Sequence, residues 1–302
     1  MASAITAKEL PVQTMRSRPN IGQRLWRLAR AKPVGAVAAV ICVILVLVAI
    51  FAPWLAPQAP DAVDPIKNPR LLAPSLSHPL GTDNLFRDMY SRILVGSRIS
   101  LGIGFTAVFF GTIFGTALGI LSGYFGGKVD LVSSRLMDIV LGFPPLVLLV
   151  FILSVFERNF LNVSLAIAII ITPTTARIVR GASLSIRNLQ YIEAAHSIGS
   201  TSLRTMARHV LPNVLAPIII IASIQVGNAI LAEAALSFLS LGVATEAHPS
   251  WGKMLQDTRA VWQQAWWTAV VPGLAISLAV LSFNLFGDAL RDILDPRLRQ
   301  SS

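Results

Sequence analysis

The side chains that could do chemistry are few and scattered. The four histidines, His78, His196, His209 and His248, are dispersed, and neither a His-Glu-x-x-His zinc motif nor a Gly-x-Ser-x-Gly nucleophile elbow occurs. Cys42 is the only cysteine and lies in an apolar run, which excludes a disulfide framework or a cysteine metal site within the chain. A phosphate-binding loop needs Gly, four residues, then Gly-Lys-Ser/Thr, so that backbone amides and a hydroxyl meet phosphate and Mg²⁺. Gly127-Lys128 is followed by Val129 and has Ser122 where the first glycine belongs. The chain is therefore expected to hydrolyse no ATP, to hold no metal or cofactor and to carry no catalytic residue.

Two acids remain informative. Glu233 lies in a long apolar run, where an ionisable group is costly unless it faces protein or water. At about 100° per residue, Gln225 and Asn228 share a broad helical face with it, and that face could line a translocation path. The competing reading puts Glu233 near the outer end of its helix, solvated or paired with a partner subunit. Glu193 lies instead in a long polar segment, 177–212.

The elements that must position these residues are membrane helices. Apolar residues make up 54% of the 302-residue chain and charged residues 13%, too little polar surface for a water-soluble domain. Runs near the length of a ~30 Å hydrocarbon core recur, and the fold class is all-α integral membrane with about six crossings. The spans are expected at 34–55, 99–121, 139–156, 160–176, 214–242 and 268–286, making a membrane domain over 34–288. Residues 1–33 form an N-terminal segment with an amphipathic stretch of Ile21, Leu25, Leu28 and Ala29, and 289–302 form a tail. The first span reads as an uncleaved anchor, too long for a signal peptide. Seven prolines from Pro53 to Pro79 imply an extended excursion within an external loop, 56–98. There Thr82 or Asp83 could cap a short interfacial helix with Leu85, Phe86, Met89, Tyr90, Ile93 and Leu94 on its apolar face. Trp251, Trp262, Trp266 and Trp267 suggest an interface belt.

In the second span Ala107, Gly111, Gly115, Gly119 and Gly123 recur at strict four-residue spacing. Small residues on one helix face admit a close neighbouring backbone, which in lipid replaces the hydrophobic driving force, so this stripe reads as a packing seam. In the fourth span Pro173 is expected to bend the helix beside Thr172, Thr174 and Thr175.

The net charge of +10 is spread over short loops, with no basic, aromatic-interleaved patch for nucleic acid. With six crossings, the side holding both termini carries 17 Lys and Arg and the other side 8. That bias puts both termini in the cytoplasm.

Segment 177–212 is long for a loop in a compact membrane protein. Its pattern predicts a helix over 189–198, a stop at Gly199 in a positive-φ conformation, and a second helix up to Leu211. Two short helices at an angle make a knob suited to a groove on a soluble partner. At Glu193-Ala194-Ala195, Gly199 and Leu211-Pro212 the chain resembles ABC importer permeases. Arg208-His209-Val210-Leu211-Pro212-Asn213 resembles their dipeptide/oligopeptide/nickel family, with His209 where importers at large usually have Ile. His78-Pro79-Leu80-Gly81-Thr82-Asp83, Gly123-Tyr124-Phe125-Gly126-Gly127 with Asp130, Arg135 and Asp138, and Ala232 to Leu239 with Gly242 extend the likeness. Phe86 departs from it, standing where many relatives have Gly.

The resemblance covers about 33–298. It implies a bacterial inner-membrane permease subunit that pairs with a second, homologous permease and two cytoplasmic ATPases, which bind ATP and Mg²⁺. A separate extracytoplasmic binding protein would deliver the substrate, by default a peptide, with nickel chelates or other small solutes as alternatives. The Glu193 to Pro212 loop would dock in a cleft of the ATPase. The contrasting reading is a self-contained secondary transporter or channel that uses Glu233 as a proton or ion site. The long knob and the lack of an inverted repeat count against it.

Overall fold

The structure is a computed structural model that describes Arg30 and residues 32–294. The amphipathic stretch expected before residue 30 and the end of the tail lie outside the described residues. Among the described residues the fold is helical, with one isolated antiparallel bridge between Thr82 and Asp88.

Helix α1 is Pro33–Leu55, α2 Met89–Phe125, α3 Gly127–Leu141, α4 Pro145–Val155 and α5 Phe160–Arg187. Then come α6, Gln190–Ser197, and a one-turn α7, Ser202–Thr205. A π-helical turn, Met206–Val210, joins α7 to α8, Leu211–Phe238. Helix α9 is Trp251–Asp257 and α10 is Trp267–Leu294. Among the described residues five helical stretches are long and apolar enough to cross a membrane, and a sixth crossing results if α3 and α4 act as one broken span.

Three elements differ from the sequence expectation, each for a visible reason. The expected helix over 139–156 is split: α3 begins at Gly127, and α3 and α4 meet at 92°. Proline disfavours the α conformation in the residue before it, so Phe143-Pro144-Pro145 stops α3, and Pro145 starts α4. The separate interfacial helix around 85–94 is absent. Phe86 at φ 61° breaks the chain, and a single helix starts at Met89, capped by Asp88, which accepts from the Ser91 amide at 2.8 Å. Asp83 cannot serve as that cap, because its carboxylate is taken by the Leu85 and Arg87 amides and the Arg87 side chain. Finally, α5 runs through charged residues to Arg187. Two of its three arginines are paired: Arg177 with Asp138 at 2.7 Å, and Arg180 with Asp130, to which Nη2 donates at 2.6 Å.

Helix α2 is central and packs along α5, with α1, α8 and α10 around it. The glycine stripe faces α5. A Cβ on Gly115 would lie 2.7 Å from Thr175 Cβ, one on Gly119 2.6 Å from the Ala176 carbonyl, and one on Gly123 2.7 Å from the Arg180 carbonyl. Gly111 would meet Ile171 at 2.9 Å. No side chain larger than hydrogen fits at these four positions without parting the helices.

At one end of the bundle the 56–88 excursion and the 239–266 excursion close over each other as a cap. Arg87 and Arg92, each 1% exposed, hold it together. Arg87 Nε donates to Asp83 at 2.6 Å and its guanidinium pairs with Glu246 and Asp257. Arg92 reaches Asp257 at 3.4 Å and the Pro60 carbonyl at 3.2 Å. The tryptophans divide: Trp251 and Trp267 are buried and donate to the Ile93 and Thr82 carbonyls, both at 3.1 Å, while Trp262 and Trp266 are exposed.

Candidate functional site

The opposite end of the bundle carries the knob. In α6 the buried positions are Ile192 and Ala195, one turn apart, so this face seats on the bundle and Glu193, Ala194 and His196 remain exposed. Helix α6 then stops in a full Schellman motif: the Gly199 amide donates to the His196 carbonyl at 2.9 Å and the Ser200 amide to the Ala195 carbonyl at 3.0 Å. This geometry requires φ of +80° at Gly199, and a Cβ there would meet nothing within 4 Å. Its glycine is needed for backbone conformation and not for space. Thr201 caps the next turn.

The knob ends in Ile198 and Leu203, 86% and 74% exposed. Sequence reasoning missed both, since each is an ordinary apolar residue in a helical pattern. Glu193, on the same short segment, is exposed as well. Beyond α7, Pro212 has no amide to donate to the Arg208 carbonyl, and the helix widens into the π turn just before it. Leu211 and Pro212 thus begin α8 and are half-exposed to exposed, and the Asn213 side chain donates to the His209 carbonyl at 2.7 Å.

The expected common face of Gln225, Asn228 and Glu233 on α8 divides. Asn228 is exposed and donates to Gln225 Oε1 at 2.7 Å. Glu233 is fully buried inside the subunit. Its carboxylate accepts from Ser100 Oγ of α2 at 3.0 Å and Ser237 Oγ at 2.6 Å, and Ser100 accepts from the Trp251 amide at 3.1 Å. Glu233 thus ties α8 to α2 and, through Ser100, to the start of α9. Because it accepts from two buried hydroxyls, Glu233→Ala should lower stability by roughly 2–3 kcal/mol by leaving both O–H donors without this acceptor. Glu233→Gln keeps an acceptor and should cost clearly less. Unfolding midpoints of the purified protein in detergent decide it; equal shifts for both would mean that the hydroxyls do not depend on this side chain.

The fold is thus a bundle of membrane-length helices with a projecting helical knob turned at a glycine. Residues 115–300 match the family described as binding-protein-dependent transport system inner membrane component, and residues 20–74 match the N-terminal TM domain of oligopeptide transport permease C. The chain belongs to this family of inner-membrane transport permeases. It is 46% identical over 230 residues to the dipeptide transport system permease protein DppC of Alkalihalophilus pseudofirmus, covering 76% of this chain and 75% of that protein. It is 43% identical over 226 residues to the glutathione transport system permease protein GsiD of Pectobacterium atrosepticum, covering 75% of each. Among solved structures it is similar to a chain of the inward-facing MetNI methionine ABC transporter, with TM-score 0.58 and 19% identity over 68% of this chain and 98% of that one. At that identity the likeness is one of fold.

Proposed function

We propose that this chain forms half of the translocation path of an ATP-driven importer of short peptides. Both termini lie in the cytoplasm. A homologous second permease supplies the other half, and two cytoplasmic ATPases, which hold ATP and Mg²⁺, seat on the knobs. An extracytoplasmic binding protein delivers the substrate on the side of the cap. No metal or cofactor works in this chain; motion of whole helices opens and closes the path. Asn228, exposed on α8 and backed by Gln225, is the path residue of choice, and Glu233 serves the frame behind it.

The observation that carries this reading is the knob itself. It offers Ile198, Leu203 and Glu193 to a partner at the end of the bundle rich in Arg and Lys. Lys32 and Asp292, 2.7 Å apart, bring the start of α1 and the end of α10 to one side, as an even number of crossings requires. Support for a peptide substrate comes from the relatives named for dipeptide and glutathione transport.

The test is purification of the tagged chain from membranes of its own organism. A second permease and an ATPase should accompany it, and hydrolysis by the reconstituted complex should rise when binding protein loaded with a dipeptide is added. Stimulation by a nickel chelate or another small solute in place of peptides would replace the substrate. Solute flux through the chain alone, with no ATPase bound, would favour the self-contained transporter.

A further inference from the structure

Two aromatic–histidine contacts fasten α6 to the bundle, and they differ in stiffness. On one side Tyr124 Oη and His196 Nε2 are 2.9 Å apart, and their ring centroids 6.0 Å. Tyr124 is buried near the end of α2 in a cluster with Ile120, Val179, Met206, Val210 and Val214. Its ring is held by packing, so its hydroxyl is a fixed point. On the other side Tyr191 lies 6.2 Å from the His209 ring, and its Oη accepts from Asn213 Nδ2 at 3.5 Å, the outer limit of a hydrogen bond. Tyr191 is exposed, and His209 sits in the π turn, a locally irregular stretch of helix.

What lies behind each fastening also differs. Behind Tyr124, α2 is locked to α5 by the glycine seam, and α3 is pinned to α5 by Asp130 and Arg180. Close-packed bodies of this kind move as units. Behind His209 there is a π turn and then α8, which carries Asn228. A displacement of α6 therefore reaches the α2–α5 unit through the short Tyr124–His196 contact, whose tyrosine also packs against Met206, Val210 and Val214, while the Tyr191–His209 contact is the longer of the two.

We propose that Tyr124 and His196 are the positioning pair that carries motion of α6 into the α2–α5 unit, and that the Tyr191–His209 contact does not. The inference rests on the reading that α6 is the seat of the ATPase. It assigns a direction to the transmission that the seat alone does not.

The experiment uses the complete reconstituted complex with binding protein and dipeptide, and reads peptide taken up per ATP hydrolysed. Tyr124→Phe removes only the hydroxyl and His196→Ala only the ring. Each should lower that ratio about fivefold, the change one net hydrogen bond supports. The double variant should be no worse than either single one, because both remove the same contact. His196→Gln, whose amide can reach the tyrosine hydroxyl, should recover most of the ratio, which a loss of packing would not do. Tyr191→Phe should change it less than about twofold. If Tyr124→Phe reduced assembly, His196→Ala, on the exposed face of α6, would carry the same test. Parental ratios in Tyr124→Phe and His196→Ala, additive losses in the double variant, or an equal loss in Tyr191→Phe would each overturn the proposal. A parental complex that showed no peptide-stimulated hydrolysis would instead overturn the functional reading beneath it.

Discussion

Replacing Gly115 by leucine is expected to remove nearly all assembled protein from the membrane. The new Cβ would sit 2.7 Å from Thr175 Cβ and 2.9 Å from the Thr172 carbonyl, the second a backbone atom that cannot rotate away. The helices would have to part along the whole seam, because Gly111, Gly119 and Gly123 seal on the same α5 face. Overpacking costs about 1–3 kcal/mol and occasionally more, and a clash with a backbone carbonyl belongs at the upper end, a large share of the stability of an ordinary domain. Gly119→Leu should behave alike, since its Cβ would press on the Ala176 carbonyl at 2.6 Å. Phe109→Leu, on the exposed side of α2, should be mild. Quantitative immunoblotting of membranes and size-exclusion profiles in detergent report the outcome; normal yields of the glycine variants would show that α2 and α5 do not touch as described.

The second large effect concerns motion without loss of fold. Gly199→Val places a β-branched residue at φ +80°, a conformation that costs on the order of 1–3 kcal/mol for such a side chain. Space is not at issue, because the Cβ would be free of contacts. The strain is relieved by unwinding the Schellman turn, which would displace Ile198 and Leu203 while the spans remain intact. Uptake should fall at least about tenfold and hydrolysis should lose its response to loaded binding protein, a loss matching the lower part of that strain range. Gly199→Asn, which tolerates the left-handed region, should retain most uptake. Unchanged uptake in Gly199→Val would remove the knob from the mechanism.

What was legible in the sequence was local or periodic. Four-residue spacing announced the seam of Gly111 to Gly123, and a lone glycine after a short amphipathic stretch announced the turn at Gly199. What was not legible depended on partners far along the chain. Arg177 looked like the end of a span because hydropathy stops there, yet the helix continues to Arg187, since Asp130 and Asp138 neutralise two of its arginines from another helix. Glu233 looked like a path residue because it stands in an apolar run. Its serine partners include Ser100, 133 residues earlier, which no helical wheel can bring to it. The pairing of Tyr124 with His196 spans 72 residues and has no periodic signature at all.

The cap also sets a clock on biosynthesis. Arg87 and Arg92 leave the ribosome long before Asp257, which lies 170 and 165 residues later. At ~5–20 residues per second, two arginines destined for burial wait roughly 10–30 s for that carboxylate. During that interval acids of the 56–88 excursion, Asp83 first among them, are what the two arginines have, and the cap stays open. Closure is therefore tied to synthesis of the 239–266 excursion, shortly before α10 completes the bundle. A chain interrupted before that point lacks Glu246 and Asp257, the carboxylates that the two guanidinium groups share in the finished subunit.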